Sequence, residues 1–153
     1  MENHAHIWFD AKSINESFAR MAVMAFIADM NPTLDELEDV KTAVSEAVTN
    51  AIIHGYDVDT NVGQAIKESC QVEISCVRRG NCFEVSVVDH GVGIANVQQA
   101  REPFFTTKPE QERSGMGFSF MESFMDKVEI YSKLGEGTRI TMTKYIGGEI
   151  GGQ

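Results

Sequence analysis

The length, composition and charge of the chain predict one acidic globular domain. A chain of 153 residues can bury one sizeable core and is too short for two ordinary domains. Its longest apolar run is far below the ~20 residues of a membrane helix, and its first residues lack the pattern of a secretory signal. We therefore expect a cytoplasmic protein that does not contact a membrane. A formal net charge of −10 argues against direct binding of nucleic acid and suits a basic protein partner.

The first third of the chain predicts a strand and two helices. Residues 6–10 are short and aromatic, as in a strand, and apolar residues then recur at helical spacing from Asn15 to about Met30. Asn31-Pro32 should end that helix. Thr33 and Glu36 have the spacing of a capping box that starts a second helix, which runs to His54-Gly55.

The second helix carries two polar residues beside an apolar stripe. Glu46 and Asn50 are four residues apart, so they project from nearly the same face. A carboxylate or amide stranded at the edge of a buried face costs roughly 1–3 kcal/mol. Glu46 and Asn50 are therefore either paired or engaged in chemistry. The predicted stripe comprises Val40, Val44, Val48 and Ala51.

The middle of the chain predicts an antiparallel hairpin after a polar loop at residues 57–69. Residues 72–78 and 83–89 alternate between apolar and polar side chains and are joined by the turn-forming segment 79–81. In this register Asp89 continues the apolar face of Phe83, Val85 and Val87. A carboxylate is thus predicted on the side of the sheet where the helices pack.

The last third predicts two helices and a second hairpin. We expect a short helix at 97–101, a mobile segment at 103–114, a helix at 118–124, and strands at 128–132 and 138–145. The resulting fold is an α/β sandwich (α+β), a mostly antiparallel mixed sheet with helices packed on one face. Residues 1–146 would form the domain and residues 147–153 a flexible Gly-rich tail.

Three motifs follow one another in an informative order. They are Glu-x-x-x-Asn at residues 46–50, Asp-x-Gly-x-Gly at 89–93, and Phe-Thr-Thr-Lys at 105–108 with a Gly-x-Gly that opens a helix at 115–117. Each motif alone is weak. Together, over residues 44–118, they resemble the nucleotide-binding signature of the GHKL ATPase superfamily, which includes DNA gyrase, sensor histidine kinases and mismatch-repair ATPases. The resemblance implies the Bergerat-type fold of that superfamily.

The chemistry of the motif residues fits an ATP site with Mg²⁺. The Asn50 amide oxygen suits Mg²⁺, which takes its other ligands from phosphate and water. Glu46 can orient or deprotonate the group that attacks the γ-phosphate. An ionised Asp89 only accepts hydrogen bonds and suits an exocyclic amine such as adenine N6. The resemblance implies that role for Asp89, with Gly91 and Gly93 lining the adenine pocket.

The resemblance also implies how the phosphates are held. Gly115 and Gly117 would present backbone amides at a helix N-terminus, where the helix dipole favours an anion. A lid would close over the phosphates. The nucleotide-contacting residues implied in this part of the chain are His54, Thr106, Thr107, Lys108, Gly115, Met116, Gly117 and Thr138.

Within the superfamily the chain is most similar to the small bacterial anti-sigma factor serine kinases. The similarity lies in residues 15–20, 46–56 and 105–117. It implies a homodimer that sequesters a sigma factor in its ATP-bound form and phosphorylates a serine of a small anti-anti-sigma protein. It also implies that Glu16 and Arg20 lie on the partner-binding face, whereas periodicity alone favours a solvated face for these charges.

Two other functions remain open from the sequence. One is a non-catalytic, nucleotide-gated module that only binds the sigma factor, and Glu46 argues against it because binding alone needs no base. The other is a detached histidine-kinase-type ATPase domain. None of the four histidines lies on a long polar helix, and His90 is expected to be a solvent-facing turn residue.

Overall fold

The structure, a computed structural model, describes residues 1–55, 70–102 and 117–147. Within these residues, five strands form one antiparallel sheet. The sheet order is β1-β2-β3-β5-β4, and each neighbouring pair is antiparallel. The elements are β1 Glu2–Asp10, α1 Asn15–Ile27, α2 Leu34–Asn50, β2 Gln71–Arg79, β3 Cys82–Asp89, α3 Val97–Ala100, α4 Gly117–Phe124, β4 Lys127–Lys133 and β5 Gly137–Tyr145.

One face of the sheet is buried under the helices. Alternate residues of β2 and β3 are buried, and Asp89 follows Phe83, Val85 and Val87 on the buried face. Helix α2 packs against both α1 and α4, so it is the central helix of the layer. The predicted sandwich of an antiparallel sheet and one helical layer is confirmed.

The predicted end of the first helical segment and the predicted start of the second hold because their signals are local. Asn31, after a short 3₁₀ turn at Ala28–Met30, takes the left-handed conformation with φ of 56° and ends the first helical segment. The Thr33 hydroxyl accepts the Glu36 N–H at 3.0 Å, and the Glu36 carboxylate accepts the Thr33 N–H at 2.9 Å. These reciprocal bonds are the predicted capping box.

Helix α2 changes geometry immediately after Asn50. The next five residues, Ala51–Gly55, form a π-helical turn, whereas the sequence predicts a continuous helix to that point. Ala51 and Ile52 in this turn are buried, and the turn contacts β3 and β5. Such turns insert an extra residue into a helix and often occur at functional sites. Here the turn follows Asn50, the second residue of the polar pair, and connects α2 to the sheet through its contacts with β3 and β5.

Strand β1 is longer than its sequence predicts. It begins at Glu2 rather than His6, and it pairs with β2 along its whole length, from Glu2 opposite Arg79 to Asp10 opposite Gln71. Residues 2–6 are exposed and, apart from Ala5, polar, and their pairing with β2 holds them in the sheet. A strand prediction based on alternating apolar residues therefore cannot detect this first half of β1.

Several predicted features lie outside the described residues. They are the loop at 57–69, the segment at 103–114 and the tail beyond Gly147. No helix in the described ranges is long and apolar enough to cross a membrane. Cys70, Cys76 and Cys82, all within the described ranges, form no disulfide, and burial raises the pKa of Cys76 to about 12.

Replacing Thr33 tests whether the capping box stabilises the central helix. In Thr33→Ala the bond from the Glu36 N–H to the Thr33 hydroxyl is lost, whereas the backbone N–H of residue 33 can still donate to the Glu36 carboxylate. We expect the free energy of unfolding to fall by about 1 kcal/mol. Urea denaturation measures the change. Thr33→Asp, which keeps an N-cap acceptor, should retain most of the stability, and an equal loss in both variants would show that the cap contributes nothing.

Candidate nucleotide site

Glu46 and Asn50 lie against the first residue of helix α4. A Cβ atom built on Gly117 would lie 3.1 Å from Asn50 Nδ2 and 3.4 Å from Glu46 Oε1. Both polar side chains are half-buried, while Val44, Ala47 and Val48 beside them are fully buried. The apolar stripe thus fixes α2 so that its polar pair meets the N-terminus of α4.

The absence of a side chain at Gly117 makes this meeting possible. Gly117 is buried at the first position of α4, where helix N–H groups lack intrahelical partners. A carboxylate, an amide and these N–H groups are thereby gathered at one place. Amide and carboxylate oxygens are suitable ligands for Mg²⁺, and helix N-terminal amides suit a phosphate. The donor set fits a Mg²⁺-phosphate group.

Asp89 forms the second part of the site, at the end of β3. Its side chain is only 5% exposed, and its Oδ1 accepts the Gly91 N–H at 2.9 Å. The Thr138 N–H, opposite it in β5, is a further donor to the carboxylate. Burial raises the pKa of Asp89 to about 6, against the lowering effect of these two bonds and of nearby His90. At neutral pH the group is therefore a buried carboxylate, an acceptor suited to an amine.

The turn after Asp89 is held against the β4–β5 turn. Ser132 Oγ accepts the Ile94 N–H at 2.7 Å and lies 2.8 Å from Thr138 Oγ1. The Gly135 N–H donates to the Val92 carbonyl at 2.8 Å. Sequence reasoning included Thr138 and missed Ser132, because a serine in a strand gives no signal of its own.

A glycine is required where these two turns meet. Gly93 has φ of 79°, and a Cβ there would collide with the Lys133 carbonyl. Glycine is therefore needed at position 93 for two reasons: the backbone is left-handed, and the Lys133 carbonyl lies too close for a side chain. Gly91 contributes differently, through its N–H to Asp89. The Asp-x-Gly-x-Gly motif thus forms a turn in which the Gly91 N–H faces the buried carboxylate and Gly93 lies against β4.

The remaining predicted residues fall into three groups. Glu16 and Arg20 lie on α1, with Arg20 Nη1 3.3 Å from Glu16 Oε1. His90 is exposed, as expected, and forms an ion pair with Glu73 at 3.2 Å when protonated. His54 belongs to the π turn, and its side chain lies outside the description. Thr106, Thr107, Lys108, Gly115 and Met116 are outside the described residues altogether.

Comparison with known proteins agrees with this geometry. Residues 8–144 match the model of a family described as a histidine kinase-like ATPase domain. A relative from Anoxybacillus flavithermus, named anti-sigma F factor, is 55% identical over 146 residues, which cover 95% of this chain and 94% of the relative. The chain belongs to the anti-sigma F factor family. The ATPase domain of this family implies that ATP is bound, usually with Mg²⁺.

Other members and a solved structure extend the comparison. An anti-sigma F factor from Clostridium perfringens is 54% identical over 145 residues, 94% of this chain and 97% of that relative. A crystal structure of the RsbU and RsbW domains of a Mycobacterium tuberculosis protein superposes with a TM-score of 0.65 at 20% identity. The match covers 94% of this chain and 32% of the mycobacterial one. At that identity the similarity shows the fold.

Asp89→Asn should separate nucleotide affinity from stability. Because the folded-state pKa of about 6 is above the ordinary 3.8, the native state holds the proton more tightly. Wild-type stability therefore falls as pH rises from about 4 to about 6, and the cost of burying the charge is complete above pH 6. An uncharged Asn escapes that cost.

We expect Asp89→Asn to stabilise the nucleotide-free protein at pH 8 while weakening ATP binding. Its stability advantage should grow by about 1 kcal/mol between pH 5 and pH 8. Urea denaturation at both pH values and titration with ATP measure the two effects. A stability difference independent of pH would show that Asp89 is not a strained carboxylate.

Gly117→Ala tests the contact between the polar pair and α4. The new methyl group would lie 3.1 Å from Asn50 Nδ2, so the Asn50 amide must shift by a few tenths of an ångström, while alanine itself favours the helix. We expect ATP turnover to fall severalfold, because activity is sensitive to small displacements of groups in the site. The melting temperature should be unchanged or higher. Ser119→Ala in the same helix is the control and should retain turnover, and full turnover in Gly117→Ala would exclude the contact from the site.

Proposed function

We propose that this protein is an ATP-dependent serine kinase and anti-sigma factor. It binds and inhibits a sigma factor and phosphorylates a small anti-anti-sigma protein on serine. One observation carries the catalytic part, namely that Glu46 and Asn50 meet the N-terminus of α4 at Gly117. The names of the relatives at 54–55% identity support the anti-sigma part.

Glu46 is proposed as the general base. It lies at the edge of the buried face, beside a helix N-terminus that can receive phosphate. A serine hydroxyl of the partner attacks the γ-phosphorus, the bond from that phosphorus to the β–γ bridging oxygen breaks, and the hydroxyl proton passes to Glu46. ADP leaves. Asn50 would hold Mg²⁺, and the ion when bound would supply positive charge to balance that of the phosphates.

Asp89 is proposed to select adenine. A buried carboxylate at neutral pH has few alternatives to accepting a hydrogen bond from an amine, because it is shielded from water. Gly91, Gly93 and Thr138 hold the carboxylate and the turn in place. A guanine base would present an oxygen to the same carboxylate, and that oxygen would be repelled. The site should therefore prefer ATP to GTP.

The remaining contacts complete the proposal. His54, Thr106, Thr107, Lys108, Gly115 and Met116 contact the nucleotide, with residues 106–108 in a lid. Glu16 and Arg20 contact the protein partners. The protein acts in the cytoplasm as a homodimer of 1–146 domains. It binds neither nucleic acid nor membrane directly.

Glu46→Gln is the decisive variant for the kinase reaction. The amide keeps the size of the side chain and cannot accept the serine proton. We expect binding of Mg-ATP within about threefold of wild type and loss of phosphoryl transfer by ~10²-fold or more, the usual contribution of a general base. Labelled ATP with the anti-anti-sigma protein measures the transfer. Glu38→Gln, an exposed acid on the same helix, is the control and should transfer normally.

The labelled product separates the alternatives. Acid-stable phosphoserine on the partner supports the serine kinase. Capture of the sigma factor that depends on ATP, with no transfer by the wild-type protein, would replace the kinase by a nucleotide-gated binding module. Transfer that continues unchanged in Glu46→Gln would remove Glu46 from the role of base.

A further inference from the structure

The Glu16 carboxylate is held between two helices. Ser45 of α2 donates its hydroxyl to Glu16 Oε2 at 2.6 Å. Arg20, one turn along α1, approaches the same carboxylate with Nη1 at 3.3 and 3.4 Å from its two oxygens. Glu16 therefore connects the helix of Arg20 to the helix that carries Glu46 and Asn50.

The two contacts differ in strength. The bond from Ser45 is short and has a charged acceptor, and the Glu16 side chain is only 22% exposed. Such bonds are among the stronger hydrogen bonds of proteins. The contact from Arg20 is longer and its side chain is 32% exposed. Isolated ion pairs of this kind contribute little by themselves. The position of the carboxylate is thus set from the α2 side.

The order of strengths determines what each residue does. An arginine side chain has many rotamers, and a fixed acceptor limits them. Among the described residues, the Glu16 carboxylate bonds only to the side chains of Arg20 and Ser45, so it orients Arg20 once Ser45 holds it. The Arg20 guanidinium makes no other bond within that part of the chain, and its remaining N–H groups stay available to a partner.

We infer that Ser45 is a positioning residue for the partner-binding surface, acting through Glu16 on Arg20. This inference depends on the proposed function, which places Arg20 in contact with the sigma factor. Ser45 touches neither partner nor nucleotide in this role. The main role of Glu16 is then to orient Arg20, and its charge at the surface is a lesser contribution. One helix, α2, then fixes both the polar pair of the nucleotide site and the arginine of the partner surface.

The experiment compares Ser45→Ala with two other variants in a sigma-factor binding assay with the full-length chain and saturating Mg-ATP. Ser45→Ala should weaken binding about threefold to tenfold, the scale expected for one hydrogen bond to a charged group. Ser45→Thr keeps the hydroxyl and should restore affinity. Thr42→Val removes a hydroxyl elsewhere on α2 with little change of shape, and should bind as wild type.

A double-mutant cycle distinguishes positioning from general destabilisation. In an Arg20→Ala background Ser45→Ala should lose most of its effect on sigma-factor binding, because the main group it positions is absent. The melting temperature should fall by several degrees in Ser45→Ala, equally with and without Arg20, because the bond between the two helices is lost in both backgrounds. ATP affinity should stay near its wild-type value. An undiminished loss of sigma-factor binding in the Arg20→Ala background, or an equal loss of ATP affinity, would overturn the inference.

The outcomes also separate this inference from the proposed function. If Arg20→Ala weakens capture and Ser45→Ala does not, the positioning role is wrong and the anti-sigma function stands. If Arg20→Ala captures the sigma factor as well as wild type does, Arg20 is not a contact and the inference fails with it. If the wild-type protein captures no sigma factor, the proposed function itself is wrong.

Discussion

The packing of α2 is the constraint on which the described site depends. Its stripe of Val40, Ala43, Val44, Ala47 and Val48 is fully buried, so the helix cannot rotate without exposing apolar surface. Rotation is also limited by α1 on one side and α4 on the other. Glu46 and Asn50 are consequently fixed at the edge of the stripe by hydrophobic packing rather than by polar bonds alone. Polar groups placed in this way are pre-organised for a ligand.

The part of the site around Asp89 lowers the stability of the fold, whereas the part on α2 is held by core packing. Asp89 occupies a position in β3 where alternation calls for an apolar side chain, and burial raises its pKa to about 6. Gly93 is confined to a left-handed backbone against Lys133. Such local conflicts are expected where a fold serves a ligand. The part of the site at Asp89 and the part at Gly117 therefore differ in physical origin, because burial destabilises the charge of Asp89 whereas core packing supports the residues that meet Gly117.

The sequence predicts local features of this fold better than distant contacts. The capping box at Thr33, the end of α1 at Asn31 and the inward register of Asp89 depend on residues within a few positions of one another, and all are found. The first half of β1 was missed because pairing through backbone bonds needs no apolar alternation. The contact of Gly117 with Asn50 joins residues far apart in the chain. The sequence motifs that contain Gly117 and Asn50 indicate that the two residues share a site, but the periodicity of helices and strands cannot predict how close they lie.

The contact between Ser45 and Glu16 shows why neighbours in sequence can serve different surfaces. Ser45 and Glu46 are consecutive, yet a helix turns by about 100° per residue, so their side chains leave α2 in different directions. One meets the carboxylate on α1 and the other meets the start of α4. The single buried stripe of α2 therefore fixes the directions of both the Ser45 and the Glu46 side chains. Any movement of α2 that alters the position of Glu46 against α4 must also alter the support of Arg20, because the same rigid helix carries both.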